Sequence, residues 1–174
     1  GTVAMQYGSG QGDARLREQI CDVMALEGIH AHPDDVVVTV GSQQAVDLVT
    51  RIFCDPGDVV ICEAPSYVGA LGVFRAYECD VVHAQMDGEG LIPEALEQAI
   101  VATKASGRTI KFLYTIPNYH NPAGVTMTDE RRQAVLEICR QNDILILEDN
   151  PYGLLGFDSD PHRALRADEA EGVI

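Results

Sequence analysis

Basic residues are scarce: 12 Lys and Arg stand against 27 Asp and Glu, a formal charge of −15. A phosphate backbone or an anionic membrane calls for a basic surface, so this balance argues against both partners. It does not argue against a small phosphorylated ligand, which the start of a helix can hold without help from net charge. Long apolar runs are also missing. None approaches the ~20 residues that span a bilayer, and the first residues lack the charged and apolar regions of a signal peptide. Cysteines number five, Cys21, Cys54, Cys62, Cys79 and Cys139, with no C-x-x-C spacing. Four lie in or beside apolar stretches, where cysteine behaves as a small hydrophobe. A soluble protein of the reducing cytoplasm is expected. With 174 residues, 46% of them hydrophobic, the chain can bury the core of one domain.

What is present is an alternation of helix and strand patterns. Leu16, Ile20, Val23 and Met24 recur at helical spacing across residues 13–27, and Gly28 is placed to end that helix. The β-branched run 36–40 is too apolar to alternate, which suits a strand buried on both faces. Gly41-Ser42 turns it into a helix with Ala45, Leu48, Val49 and Ile52 on one side. Strands are then expected at 58–62, 80–84, 110–115 and 144–148, and helices at 67–75, 93–106 and 129–141. The end, Gly172-Val173-Ile174, looks like the start of another strand. The class predicted is α/β: a mainly parallel sheet with helices on both faces. Ligands of such sheets sit beyond the carboxyl ends of the strands.

Four strand ends carry unusual chemistry. Gly41-Ser42-Gln43-Gln44 offers a tight turn, Ser42 as N-cap, and outward amides that suit a phosphate. Glu63-Ala64-Pro65-Ser66-Tyr67 places a tyrosine at the opening of a helix. The loop from Pro117 to Gly124 presents Asn121 on a backbone stiffened by two prolines. Glu148-Asp149 brings two carboxylates out of an apolar strand, and a buried carboxylate demands a cationic partner. A protonated pyridine nitrogen is one such partner. Each feature has an ordinary reading when taken alone: a capped helix, a packed ring, a turn.

Together, in this order, Y-G-x-x-x-G, G-S-Q-Q, E-x-P-x-Y, N-P-x-G and E-D-x-P-Y resemble the class I and II aminotransferases of fold type I. The likeness covers essentially the whole chain. It points to the branch with aromatic-amino-acid, 2-aminoadipate and kynurenine aminotransferases. The resemblance implies pyridoxal 5'-phosphate (PLP) as cofactor, amino-acid and 2-oxo-acid substrates, and a homodimer. It implies that Ser42 and Gln43 bind the cofactor phosphate and that Tyr67 stacks on the pyridine ring. Asn121 and Tyr152 would reach the ring hydroxyl oxygen, and Asn121 would help hold the substrate carboxylate. Asp149 would pair with the ring nitrogen, and Tyr7 would reach across the dimer to the partner's phosphate. The glycines beside Tyr7 follow no strand, so a dinucleotide loop is discounted.

One departure matters. The family's cofactor-binding lysine is expected roughly 30 residues beyond the aspartate, past Ile174. Lys104 and Lys111 are the only lysines, and neither stands in the family's lysine motif. Residues 1–30 are expected to lead into a PLP-binding large domain over 31–174, truncated on its C-terminal side, with the small domain absent. The chain alone is expected to be inactive, as part of a longer enzyme. Alternatives are the aminotransferase-like sensor of a winged-helix regulator, or a PLP lyase or decarboxylase. Retention of Asn121 and the lack of a basic segment favour the aminotransferase. His30 and His32 lack partners at metal-ligand spacing. His83 is expected at a core edge, His120 in the site, and Asp168-Glu169-Glu171 on a solvated face.

Overall fold

The structure, a computed structural model, describes residues 5–156 and 162–174. Five strands lie in the order β3-β2-β1-β4-β5: β1 Val59–Ala64, β2 Asp80–Asp87, β3 Gly90–Leu91, β4 Ile110–Thr115 and β5 Leu145–Glu148. Pairings of β1 with β2, β1 with β4 and β4 with β5 are parallel. The short β3, which the sequence pattern did not reveal, pairs antiparallel with β2. Val173 adds a parallel bridge to Ile146, so the expected last strand does begin there.

Period-two alternation explains the two cores. Val59, Ile61, Leu113 and Ile146 face α4 (Pro93–Ala105) and α5 (Asp129–Gln141). Val60, Cys62, Phe112 and Tyr114 face the other way, toward α2 (Ser42–Phe53) and α3 (Val68–Ala76). On that face Phe74 meets Phe112 and Tyr114 edge-on, with ring centroids 5.8 and 5.5 Å apart. Sheets covered on both faces read as unbroken apolar strands, which is why these were legible. The result is the α/β class expected. Among the described residues no helix is long and apolar enough to cross a membrane.

Two expectations need correction. The run 36–40 is not in the sheet: among the described residues it has no strand beside it, and its Val38 N–H donates instead to Gln11 O at 2.8 Å. Val36 is buried, while Val40 is 88% exposed. A β-branched run without a ladder partner stays extended but unpaired. In α1 (Ala14–Met24) the apolar positions are only partly covered, Ile20 and Met24 being half-buried. Leu16 and Val23 are exposed, and the residue buried is Arg17. Its guanidinium Nη1 donates to Pro33 O at 2.6 Å and pairs with Asp34 at 3.2 Å, tying the helix to the following 3-10 turn. His83 is exposed on β2 rather than at a core edge.

Candidate functional site

The carboxyl ends of β1, β4 and β5 share an edge with the start of α2. Gly41 is the N-cap of α2, with φ +80° and no side-chain cap. Ser42 is therefore the first helical residue, not the cap expected from the pattern. Gln44 closes the turn instead, its Oε1 accepting from Val40 N at 2.6 Å and its N–H donating to Gly41 O at 3.2 Å. The N–H groups of Ser42 and Gln43 are left without intrahelical acceptors, as at any helix start.

Tyr67 precedes α3 as its N-cap residue. Its ring lies directly over Gly69, where a Cβ would come within 2.5–2.7 Å of three ring-end atoms. Only glycine permits that approach. Gln43 Nε2 donates to Gly69 O at 2.9 Å, so its side chain joins α2 to the backbone under Tyr67.

Behind Tyr67, Glu63 is a buried hub. One carboxylate oxygen accepts from Thr115 Oγ1 at 2.7 Å, the other from Ile116 N at 3.0 Å. His120 is buried beneath its loop rather than lining the cleft. Ala123 N donates to His120 Nδ1 at 3.3 Å, which leaves the ring proton on Nε2. That nitrogen stands 2.9 Å from Glu63 Oε2 but makes no hydrogen bond, so the two side chains are packed together rather than bonded. Glu63 thus fastens the β1 end to the loop that carries Asn121.

A second buried network joins that loop to the β5 end. Arg132 Nη2 donates to Asn118 Oδ1 at 2.5 Å, Asn118 Nδ2 to Asn150 Oδ1 at 2.8 Å, and Asn150 Nδ2 to Glu27 Oε1 at 2.6 Å. Every donor points the same way, from a guanidinium to a carboxylate. Burial raises the Glu27 carboxyl above its ordinary value, and the Asn150 bond opposes the rise. Gly153 belongs to this arrangement, since a Cβ there would overlap Glu27 and Asn150.

The two carboxylates after β5 part company. Glu148 turns away from the ligand edge and accepts from Leu165 N and Arg166 N at 2.9 and 3.1 Å. Burial raises its pKa, and those two bonds lower it. Alternation along the strand forces the split, correcting the expectation that both serve the ligand. Asp149 stays at the edge. Its N–H donates to Thr115 O at 2.9 Å, and its Oδ2 accepts from the Tyr114 hydroxyl at 2.6 Å. Burial first, then the Asp149 charge, raises the Tyr114 phenol above its usual value, so it is protonated and donates.

Ser42, Tyr67, Asn121, Asp149 and Tyr152 line one cleft of about 120 Å³, walled by Ile116 and Pro151. Hollows of about 390 and 400 Å³ lie elsewhere, but neither is lined by a tyrosine or phenylalanine ring. Convergent polar groups mark a site better than size does. Of the other residues expected at the site, Gln43 does not line the cleft, its side chain being turned to Gly69 O, and Tyr7 lies outside it, fully exposed. Lys104 bonds Asn142 and Lys111 pairs with Asp58. Lys111 lies near the amino end of β4, opposite the cleft. Sequence reasoning missed Glu63 as a hub, Gly69, the Asn118–Asn150 bridge and Tyr114. Glu63, Gly69, Asn118 and Asn150 lie within or beside the motif stretches, but Tyr114 had no local signal.

The chain is 41% identical over 172 residues to aromatic-amino-acid aminotransferase 1 of Thermococcus litoralis, matching 98% of this chain and 41% of that protein. It is 30% identical over 174 residues to the HTH-type transcriptional regulator YisV of Bacillus subtilis, matching all of this chain and 35% of the regulator. Among solved structures, kynurenine aminotransferase of Pyrococcus horikoshii, in complex with PMP, superposes with a TM-score of 0.90. It is 40% identical and matches 98% of this chain and 43% of that one. The chain thus spans about two fifths of the length of these aminotransferases. The family model for class I and II aminotransferases matches residues 1–174, and the chain belongs to that family.

Proposed function

We propose that the full-length protein is a PLP-dependent aminotransferase, moving an amino group from an L-amino acid to a 2-oxo acid. The observation that carries this reading is Asp149. One oxygen is held by Tyr114 at 2.6 Å, and the other has no hydrogen-bond partner among the described residues, in a cleft that also holds Tyr67, Asn121 and the start of α2. A carboxylate, an aromatic face, an amide and free helix-start N–H groups are the donor set that a phosphorylated pyridine fits. When bound, the cofactor supplies an electron sink for the charge developed at the substrate α-carbon.

The residues divide the work. The N–H groups of Ser42 and Gln43, with the Ser42 hydroxyl, hold the phosphate. Net charge does not oppose this, because partial positive charge at a helix start acts locally. Tyr67 covers one face of the ring, its position set by Gly69. Asn121 and Tyr152 donate to the ring hydroxyl oxygen, and Asn121 also holds the substrate carboxylate. Asp149 keeps the ring nitrogen protonated. Tyr7, exposed in this chain, reaches the phosphate of a second subunit in a cytoplasmic homodimer. Residues 1–30 lead into the cofactor-binding domain formed by 31–174.

A regulator's effector domain is a second reading, supported by the likeness to YisV. The greater identity to an aminotransferase favours the enzyme. Measuring the half-reaction of full-length D149N with an amino-acid donor tests the assignment. Loss of a group placed against developing charge lowers turnover by at least about a hundredfold. Turnover within a few-fold of wild type would refute the role of Asp149, and a wild type without transamination would favour the regulator.

A further inference from the structure

We infer that Tyr114 is a positioning residue for the ring nitrogen, acting only through Asp149. The inference rests on the reading of the cleft above and adds the group that aims its carboxylate. Tyr114 is fully buried in β4. Its ring is fixed edge-on against Phe74 at 5.5 Å, so the hydroxyl has one place to point. It donates to Asp149 Oδ2 at 2.6 Å, within the short range of bonds to an ionised acceptor. The next residue, Thr115, accepts from Asp149 N at 2.9 Å. Two successive residues of β4 therefore hold the backbone and the side chain of Asp149.

A carboxylate turns easily about its last torsion, which is broad and two-fold. With Oδ2 tied down, that rotation stops, and Oδ1 is the oxygen left for a cation in the cleft. Phe at position 114 would keep the packing against Phe74 and remove only the donor. The alternative is that Tyr114 is a core residue whose hydroxyl has merely found the nearest acceptor.

Full-length wild type and Y114F, titrated with PLP and with 1-deaza-PLP, separate the two. The analogue carries C–H in place of the ring nitrogen, so it cannot use Asp149 as a partner. Y114F is expected to weaken PLP about tenfold, the effect of one charge-assisted bond, and to change 1-deaza-PLP less than about twofold. The ¹⁵N shift of ring-labelled PLP on Y114F should move toward the unprotonated value. Equal weakening of both ligands would make Tyr114 purely structural and overturn the inference, as would unchanged PLP affinity with an unchanged ¹⁵N shift. Failure of wild type to bind PLP would instead overturn the reading of the cleft, and the inference with it.

Discussion

The relay from Arg132 through Asn118 and Asn150 to Glu27 has a direction, and N118D reverses it at one step. In the native chain Asn118 accepts from Arg132 at 2.5 Å and donates to Asn150 Oδ1 at 2.8 Å. A carboxylate at 118 still accepts from Arg132, but it turns an oxygen toward the Asn150 oxygen. Turning the Asn150 amide over does not help, because its oxygen would then face the Glu27 carboxylate now 2.6 Å from its nitrogen. One hydrogen bond is lost, about 1 kcal/mol, and a buried acceptor is left unsatisfied, about 1–3 kcal/mol. The stronger pairing with Arg132 returns part of this, so a net loss of ~2 kcal/mol is expected.

Adding E27Q tests the cause. The new amide at 27 can donate to a turned-over Asn150, which then donates to the carboxylate at 118, and the relay closes in the opposite direction. Urea midpoints of the full-length wild type, both single variants and N118D/E27Q give the coupling. The double variant should be ~1–2 kcal/mol more stable than the two single costs summed. Strict additivity, or N118D as stable as wild type, would refute a directional relay.

G69A places a Cβ within 2.5–2.7 Å of the Tyr67 ring end. The ring must move off the cleft, and PLP affinity measured by fluorescence titration should fall about tenfold, in line with an overpacking cost of ~1–3 kcal/mol; unchanged affinity would separate Tyr67 from the cofactor. Burial raises the Glu27 carboxyl above its ordinary 4.5, so the folded state binds its proton more tightly than the unfolded chain does. Its stabilising contribution is therefore present below about 4.5 and lost as pH rises through the raised value. The stability of wild type relative to E27Q should fall with rising pH across that window, and a flat or rising difference would contradict it. Finally, borohydride reduction of the 174-residue chain with PLP, followed by peptide mapping, should leave Lys104 and Lys111 without stoichiometric label, since their bonds to Asn142 and Asp58 hold them elsewhere.

Much of the framework was legible because its signals are local. The helix expected at 129–141 is α5, residue for residue, with Thr128 as N-cap accepting from Arg131 N. The strand expected at 110–115 is β4. The motif residues fall where ligands bind in a parallel sheet, and five of them share a cleft. What stayed hidden depends on partners distant in sequence. Val36 and its neighbours have the composition of a strand, yet a strand also needs a neighbour, which no local pattern reports. Leu16 and Val23 form a stripe at helical spacing, but the burial of Arg17 was decided by the Pro33 carbonyl 16 residues on. Glu148 and Asp149 are adjacent and chemically alike, and only the strand's alternation assigns them to opposite sides. Tyr114 meets Asp149 across 35 residues, so its role appears only once β4 and β5 are paired.

The central claim is that Asp149, aimed by Tyr114, receives a pyridine nitrogen at this cleft. A crystal structure of the full-length protein with PLP tests it most directly. The ring nitrogen should lie about 2.7–3.0 Å from Asp149, with the phosphate against the first amides of α2 and the Tyr67 ring over one face. PLP bound away from the cleft, or held there with its ring nitrogen turned from Asp149, would contradict the account.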